Sequence, residues 1–425
     1  MRKFIIIWVG QLISTIGSGL TGFALSIWIY QETGQAAPFV YTALFNSLPV
    51  VIFSLFAGAL VDRFNRRWVM ILTDVGAALS TLVVFLLYSS GNLEVWHIYV
   101  SAFFASLFNT FQLPAFSASI TMLVPKEQLT RANGMVQAGA SLEGLLSPVL
   151  AGLLVGVVGV SGMMLIDFAT FFVAVGTLLL VTILQPEITE TQKAQKIIQD
   201  IKNGWQFLSA RRGLIALAVY IGIVNIFATS VLALTTPLIL SFANERILGI
   251  SQMISSLGLL LGGILISWWG GTKRKMTGIY IGVLIGGLGL MFGGLRSIFW
   301  WIALGIFFFL FPIPTVNAQL RSIVQTKSPP ELQGRVFSVI FLIARLGPPI
   351  GFLLSAFLSD GVFEPSMMPN GFLASFFGPL FGTGPGRGVG LMMSLAGIGL
   401  WITTILMYLY PRLRLVEDEL PDIES

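Results

Sequence analysis

Four ionisable residues sit inside long apolar stretches of this 425-residue chain: Asp74, Glu143, Asp167 and Arg345. A charged side chain in hydrocarbon is expensive, so such residues are rare and are functional candidates by default. Glu143 follows Arg131 by 12 residues, about 18 Å along a helix rising ~1.5 Å per residue, which places it near the middle of a bilayer. Arg345 follows Arg335 by 10 residues, at comparable depth. Asp167 is expected nearer the outer end of its span. Asp74 is expected nearer the inner end of its own, where packing or support of a loop is the simpler role. Glu143, Asp167 and Arg345 are the candidates for coupling, since a carboxyl whose hydration alternates between the two sides of a membrane can carry a proton. The alternatives are a structural hydrogen bond or an ion pair, for Glu143 with Arg345 as partner. Arg345 also suits an anionic substrate group. No catalytic constellation accompanies these residues. The chain has no Cys and one His, His97, read as a loop residue, and it lacks a Walker-type glycine loop. Thiolate metal sites, His clusters, nucleophilic hydrolysis and ATP binding are therefore not expected, and no cofactor is implied. Energy must come from an ion gradient or from the substrate's own.

Uncharged polar residues follow helical spacing within the apolar runs. Gln11, Ser14, Thr15 and Ser18 stand at i, i+3, i+4 and i+7 and share one helix face. Asn46, Asn109, Gln112, Asn225 and Asn317 could join them in lining a cavity; each amide could equally make a hydrogen bond between helices. Pro114, and Pro312 with Pro314, are expected to bend helices 4 and 10.

The elements that carry these residues are membrane spans. Hydrophobic residues make up 55% of the chain and charged ones 10%, and apolar runs of about 20 residues match the length that crosses a ~30 Å hydrocarbon layer as a helix. The fold class expected is an all-α polytopic membrane protein with twelve transmembrane helices, near 4–30, 38–61, 68–89, 95–122, 132–159, 162–184, 213–240, 246–269, 276–295, 298–325, 333–359 and 388–410. The first run shows no clear cleavage site and reads as a retained span. With both termini cytoplasmic, 20 of the 24 Lys and Arg residues fall on one side, the asymmetry of the positive-inside rule. The net charge of +5 then reports orientation in a cell membrane rather than affinity for nucleic acid. Residues 185–212 form the cytoplasmic connection between residues 1–184 and 213–425. Ala194, Ile197, Ile198, Ile201, Trp205 and Leu208 give it either a helix lying on the inner leaflet or a plain tether. Residues 360–386, rich in Gly, Pro and Phe, form a long outer connection, either a membrane-dipping segment or a mobile loop.

Two features point to an internal repeat. Pro125, Glu127 and Arg131 recur as Pro329, Glu331 and Arg335, a displacement of 204 residues. The same displacement carries Gly58 onto Gly262, in a glycine pair followed by an apolar run and Lys273-Arg274-Lys275. Ser147-Pro148-Val149-Leu150-Ala151-Gly152 has a counterpart in Gly347-Pro348-Pro349-Ile350-Gly351, so small residues and prolines fall in helices 5 and 11, where small side chains let helices approach closely. Two homologous six-helix halves explain both.

The stretch Gly58-Ala59-Leu60-Val61-Asp62-Arg63-Phe64-Asn65-Arg66-Arg67, between spans two and three, resembles the loop signature of the major facilitator superfamily. Trp8-Val9-Gly10-Gln11, Tyr30-Gln31-Glu32-Thr33-Gly34, Val124 to Thr130 and Gly334-Arg335-Val336-Phe337-Ser338 extend the likeness over nearly the whole chain, towards bacterial drug exporters of the macrolide-efflux type, with siderophore exporters farther off. The resemblance implies a monomeric secondary transporter that moves a small molecule, with protons as driving ion, by alternating access between its halves. It also implies that Gly58, Asp62, Arg63, Arg66 and Arg67 form a conformational latch. Asp62 meets the negative end of helix 2 and needs a partner, either the neighbouring arginines or the start of helix 11. Asn65 stands where the family often has glycine, and a left-handed turn is expected of it. The second-half echo carries Ser267 and Trp268 where the acid would be. A lipid-like flippase or a non-transporting receptor on the same scaffold are the competing readings.

Overall fold

A computed structural model describes residues 1–61, 64–125, 128–181 and 205–419. Every regular element among them is helical: α1 (Arg2–Thr33), α2 (Ala37–Val61), α3 (Arg66–Ser89), α4 (Val95–Leu123), α5 (Leu129–Leu180), α6 (Arg212–Leu232), α7 (Thr235–Leu240), α8 (Glu245–Trp269), α9 (Lys275–Gly293), α10 (Phe299–Leu310), α11 (Ile313–Lys327), α12 (Pro330–Leu358), α13 (Glu364–Met367), α14 (Ala374–Phe381), α15 (Arg387–Leu409), α16 (Pro411–Arg414) and α17 (Val416–Glu419). Leu, Ile, Val and Phe crowd all faces of the long helices, so little is gained by turning one face inward. Lipid is the solvent that tolerates this, and the helix is the element that satisfies its own backbone there.

The twelve spans follow from these elements. Helix α5 covers 52 residues, about twice the length one crossing needs. It breaks at Gly159, whose φ of 67° and ψ of 179° belong to a region that essentially only glycine occupies. Spans five and six are thus two arms of one element, 129–158 and 160–180. Gly159→Ala should cost about 1–3 kcal/mol through backbone strain alone, read as a lowered unfolding temperature of the detergent-solubilised protein, because open space surrounds the position. Span seven is divided into α6 and α7, where Pro237 withholds the N–H that Ala233 would accept. Span ten divides at Pro312 into α10 and α11, a break rather than the bend expected. In α4, Pro114 is accommodated within a continuous helix.

Backbone contacts divide the chain into two compact units. One holds Met1–Gly34 and Tyr41–Gln195, the other Gln35–Val40 and Lys196–Ser425. The first is built on the α1–α5 seam. A β-carbon at Gly10 would lie 2.3 Å from Thr177 Oγ1, and one at Gly17 2.2 Å from Thr170 Oγ1, so these glycines are what lets α1 run against the second arm. In the second unit, Gly347 and Gly351 of α12 face the backbone carbonyls of Gly222 and Ile226 in α6, with virtual Cβ–O separations of 2.5 Å each. Ser147 of the first arm does the corresponding job in the first unit, its Oγ donating to Ile16 O at 3.4 Å. The small-residue stretches of helices 5 and 11 are therefore packing seams. At one end of the second unit, the Glu417 carboxylate accepts from the N–H groups of Lys275 and Met276 at 3.0 and 2.9 Å, capping α9, while Lys327 Nζ donates to Glu417 O at 2.6 Å.

Several expectations are corrected. His97 is in the first turn of α4, where its Nδ1 accepts from Glu94 N at 3.0 Å in a capping box. Asn65 has φ of −63° and ψ of 111°, not a left-handed turn. Its side chain caps α3 by accepting from Arg67 N and Trp68 N, since a free helix N-terminus rewards an Asn oxygen more than the loop needs a positive φ. The connection at 360–386 is built of short helical segments rather than an open loop. A π-turn at Ser359–Phe363 leads into α13 and α14, and Met367, Phe381 and Leu391 form a small core with Leu295, Phe363, Leu373 and Phe377. Asp360 accepts there from Ala36 N and Ala37 N at 3.3 and 2.7 Å. Glu364 caps α15 by accepting from Gly386 N and Val389 N. Lys193 to Lys202, the polar face expected of the central connection, lie outside the described residues; residues 205–209 are helical.

Candidate functional site

The polar face of α1 organises the first unit. Gln11 Nε2 donates to Asp74 Oδ2 at 2.8 Å, and Gln112 Nε2 of α4 donates to Asp74 Oδ1 at 2.9 Å and to Gln11 Oε1 at 3.0 Å. Thr73 Oγ1 donates to Gln112 Oε1. Seven residues farther along α1, Ser18 Oγ donates to Asp167 Oδ1 at 2.9 Å. Thr81, seven residues beyond Asp74 on α3, donates to Asp167 Oδ2 at 3.2 Å. A displacement of seven is two helical turns, ~10 Å, so α1 and α3 both reach two carboxylates set two turns apart.

Asp167 is buried, with 6% of its surface exposed, and its neighbours are hydroxyls rather than cations. Glu143 lies on the opposite side of α1. A β-carbon added at Gly19 would lie 3.3 Å from Glu143 Oε1, so Glu143 and Asp167 flank α1 at the depth of residues 18–19. Their surroundings differ. Asp167 is held by two donors, whereas half-buried Glu143 forms no hydrogen bond or ion pair among the described residues.

The remaining sequence-derived candidates are distributed as follows. Gln11, Ser18 and Gln112 are engaged by the two aspartates. Thr15 Oγ1 donates to Leu12 O of its own helix at 3.0 Å, and Ser14 is half-buried on α1. Asn46 and Asn109 are exposed on α2 and α4, and Asn317 is exposed on α11. Asn225 spans a helix pair, its Nδ2 donating to Ala344 O of α12 at 3.0 Å. Arg345, the next residue, is exposed in the second unit. Of the loop signature, Gly58 is in α2, while Asp62 and Arg63 lie outside the described residues. Arg66 Nη1 reaches Ala118 O at 3.4 Å. Arg67 donates from Nε to Leu178 O and from Nη2 to Leu179 O, both at 2.8 Å, so a cation sits on the last carbonyls of the second arm, where the helix dipole favours it.

Sequence reasoning treated Asp74 as packing and Gln11 as cavity lining, and missed that they meet. The signal available was the pair of seven-residue spacings, 11 to 18 and 74 to 81, which only a known helix neighbourhood makes legible. Among the described residues no group of His, Cys, Asp and Glu is arranged to hold a metal ion.

Residues 7–352 match the Major Facilitator Superfamily model. The chain belongs to the major facilitator superfamily. Within the family it is 30% identical over 374 residues to macrolide efflux protein A of Streptococcus pyogenes, covering 85% of this chain and 90% of that protein. It is 25% identical to the multidrug efflux pump Tap of Mycolicibacterium fortuitum, covering 84% and 89% respectively. Its fold matches a bacterial homologue of the human lysosomal transporter Spinster with a TM-score of 0.71 at 15% identity, covering 98% of each chain. The protein is thus a multi-pass membrane transporter of the superfamily, related to macrolide and multidrug efflux proteins.

Proposed function

We propose that this chain is a proton-driven exporter of medium-sized amphiphilic compounds, macrolides among them, and that Glu143 carries the coupling proton, with Asp167 as a fixed partner across α1. The observation that supports this most is the unpartnered Glu143 carboxylate at mid-span. An ionised carboxylate without a partner in hydrocarbon costs several kcal/mol, so the group gains by taking a proton whenever its surroundings are dry and by releasing it whenever they are wet. Relatedness to efflux proteins supports export as the direction. The crowding of basic residues in alternate connections supports cytoplasmic termini. Gly58, Asp62, Arg63, Arg66 and Arg67 serve as the latch that favours one of two access states. Arg66 and Arg67 hold the loop's second half to carbonyls of α4 and α5. Arg345 supplies a cation for anionic groups of the substrate, and the exposed Asn46, Asn109 and Asn317 offer it amides. The transporter works as a monomer.

The test is a reconstituted assay. Purified protein in liposomes is given a labelled macrolide with and without an imposed pH gradient. Accumulation that depends on the gradient and collapses when a protonophore is added is the expected result; accumulation indifferent to the gradient would refute proton drive.

A further inference from the structure

Asp74 is the intramembrane carboxylate that the reading above leaves without work. It follows Arg66 by eight residues, about 12 Å along α3, inside the span. Both of its oxygens are engaged by amide N–H groups, from Gln11 at 2.8 Å and Gln112 at 2.9 Å. No basic side chain pairs with it among the described residues. On α3 itself, Arg66 is turned to Ala118 O and Met122 Sδ, and Arg67 to Leu178 O and Leu179 O. Helix α1 carries no charged residue between Lys3 and Glu32, and α4 none from end to end, its titratable residues being His97 and Tyr99 near its start. On α5 the groups are Arg131, Glu143 and Asp167. Asp167 occupies the other rung, two turns away along α1.

A carboxylate that stays ionised at this depth gains from a counter-charge as well as from donors. Asp74 instead has two glutamine amides, and a glutamine amide is both donor and acceptor. With Asp74 ionised, the two Nε2 groups donate to it, as observed. With Asp74 protonated on Oδ2, a half-turn of the Gln11 amide presents Oε1 to accept the new O–H, in exchange for the bond that Oε1 now accepts from Gln112 Nε2, while Gln112 Nε2 keeps its bond to Oδ1. Thr73 Oγ1 anchors Gln112 Oε1 in both cases. Both Asp74 oxygens are therefore hydrogen-bonded in either state by rotating one amide, at the cost of one glutamine–glutamine bond and without moving a helix.

We infer that Asp74, Gln11 and Gln112 form a second proton-carrying site of this transporter. One proton from water adds to Asp74 Oδ2 and later returns to water on the other side; no other bond is made or broken. The inference rests on the proton-driven reading of the function, and Gln11 and Gln112 act in it as positioning residues.

The experiment compares wild type with Asp74→Asn, a neutral side chain of the same shape, in liposomes with a labelled macrolide. Gradient-driven accumulation by the variant should fall at least about 10-fold, while exchange of labelled for unlabelled macrolide without a pH gradient should stay within about 2-fold of wild type. A variant that accumulates like wild type overturns the site. A folded variant that loses exchange as well also overturns it, because the carboxylate is then a substrate ligand. Should the variant not fold, wild-type protein decides. A hydrophobic carbodiimide attacks protonated carboxyls in apolar surroundings, and peptide mass spectrometry should find Asp74 modified at low pH, progressively less as pH rises. Asp74 unmodified at every pH while Glu143 is modified would overturn the proposal. Wild type that shows no gradient dependence refutes proton drive and this site together, whereas a coupled wild type with a coupled Asp74→Asn refutes this site alone.

Discussion

Glu143→Gln is expected to remove pH-driven export, lowering gradient-dependent accumulation of a labelled macrolide at least about 10-fold while exchange without a gradient persists. The reason is local. Glutamine keeps the length and shape of the side chain beside Gly19 and Ser147, so the α1–α5 seam is undisturbed and the variant should unfold at the wild-type temperature. What disappears is the ability to take up and release a proton at mid-span. Because Glu143 forms no hydrogen bond or ion pair among the described residues, its neutralisation leaves no orphaned partner to confuse the outcome. Asp167→Asn is a harsher change, since an Asn at that buried rung must donate as well as accept towards Ser18 and Thr81. Unaltered gradient-driven transport by Glu143→Gln would remove that residue from the mechanism.

The second large effect concerns stability. Gly258 and Gly262 of α8 stand one helical turn apart against the backbone of α10 and of Phe311, which follows it, where β-carbons would lie 2.4 Å from Phe307 O and 1.9 Å from Phe311 O. Both obstacles are main-chain carbonyls, which cannot swing aside as a flexible side chain can. Without a hydrophobic drive between helices in lipid, close backbone approach supplies much of the attraction, and the small-xxx-small pattern is how sequences arrange it. Gly262→Val forces the helices apart and forfeits those contacts. Overpacking of this kind costs about 1–3 kcal/mol or more, so a clear fall in the unfolding temperature of the purified protein and a lower yield in the membrane are expected. A Gly262→Val protein as stable as wild type would show that this seam is not close-packed.

Much of the fold was legible because one variable dominates it. Apolar length alone marks spans, and the regular return of Lys and Arg fixes their connections. Even the boundary between spans five and six was readable within a few residues, since Gly159 ends one apolar run and Ser161 and Gly162 open the next. Breaks of the backbone were less legible. Pro114 is absorbed by α4, while Pro237 and Pro312 interrupt their helices, so a proline alone does not say whether its helix continues. At the site, the partners of the polar residues were not legible. Gln11, Asp74 and Gln112 are 63 and 101 residues apart in the pairs Gln11–Asp74 and Gln11–Gln112, and no periodicity within one helix says which helices adjoin. A backbone role is expected of Asn65 because it occupies a position where the family has glycine, whereas the N–H groups of the first turn of α3, which lack partners within the helix, set a stronger local demand. The outer connection hid its order for a similar reason. Its glycines and prolines read as a loop, yet Phe363, Leu373, Phe377 and Phe381 find one another across it.

The most direct test follows protons and substrate in the same vesicles. Liposomes holding wild-type protein and a trapped pH-sensitive dye are given a macrolide with no preset pH gradient. Substrate entering should drive protons out, so that the interior turns alkaline in step with the uptake of label, and Glu143→Gln should take up label with no change in the dye. Wild-type protein that moves the label while the internal pH stays constant would show that the transporter runs without protons and that its intramembrane carboxylates serve another purpose.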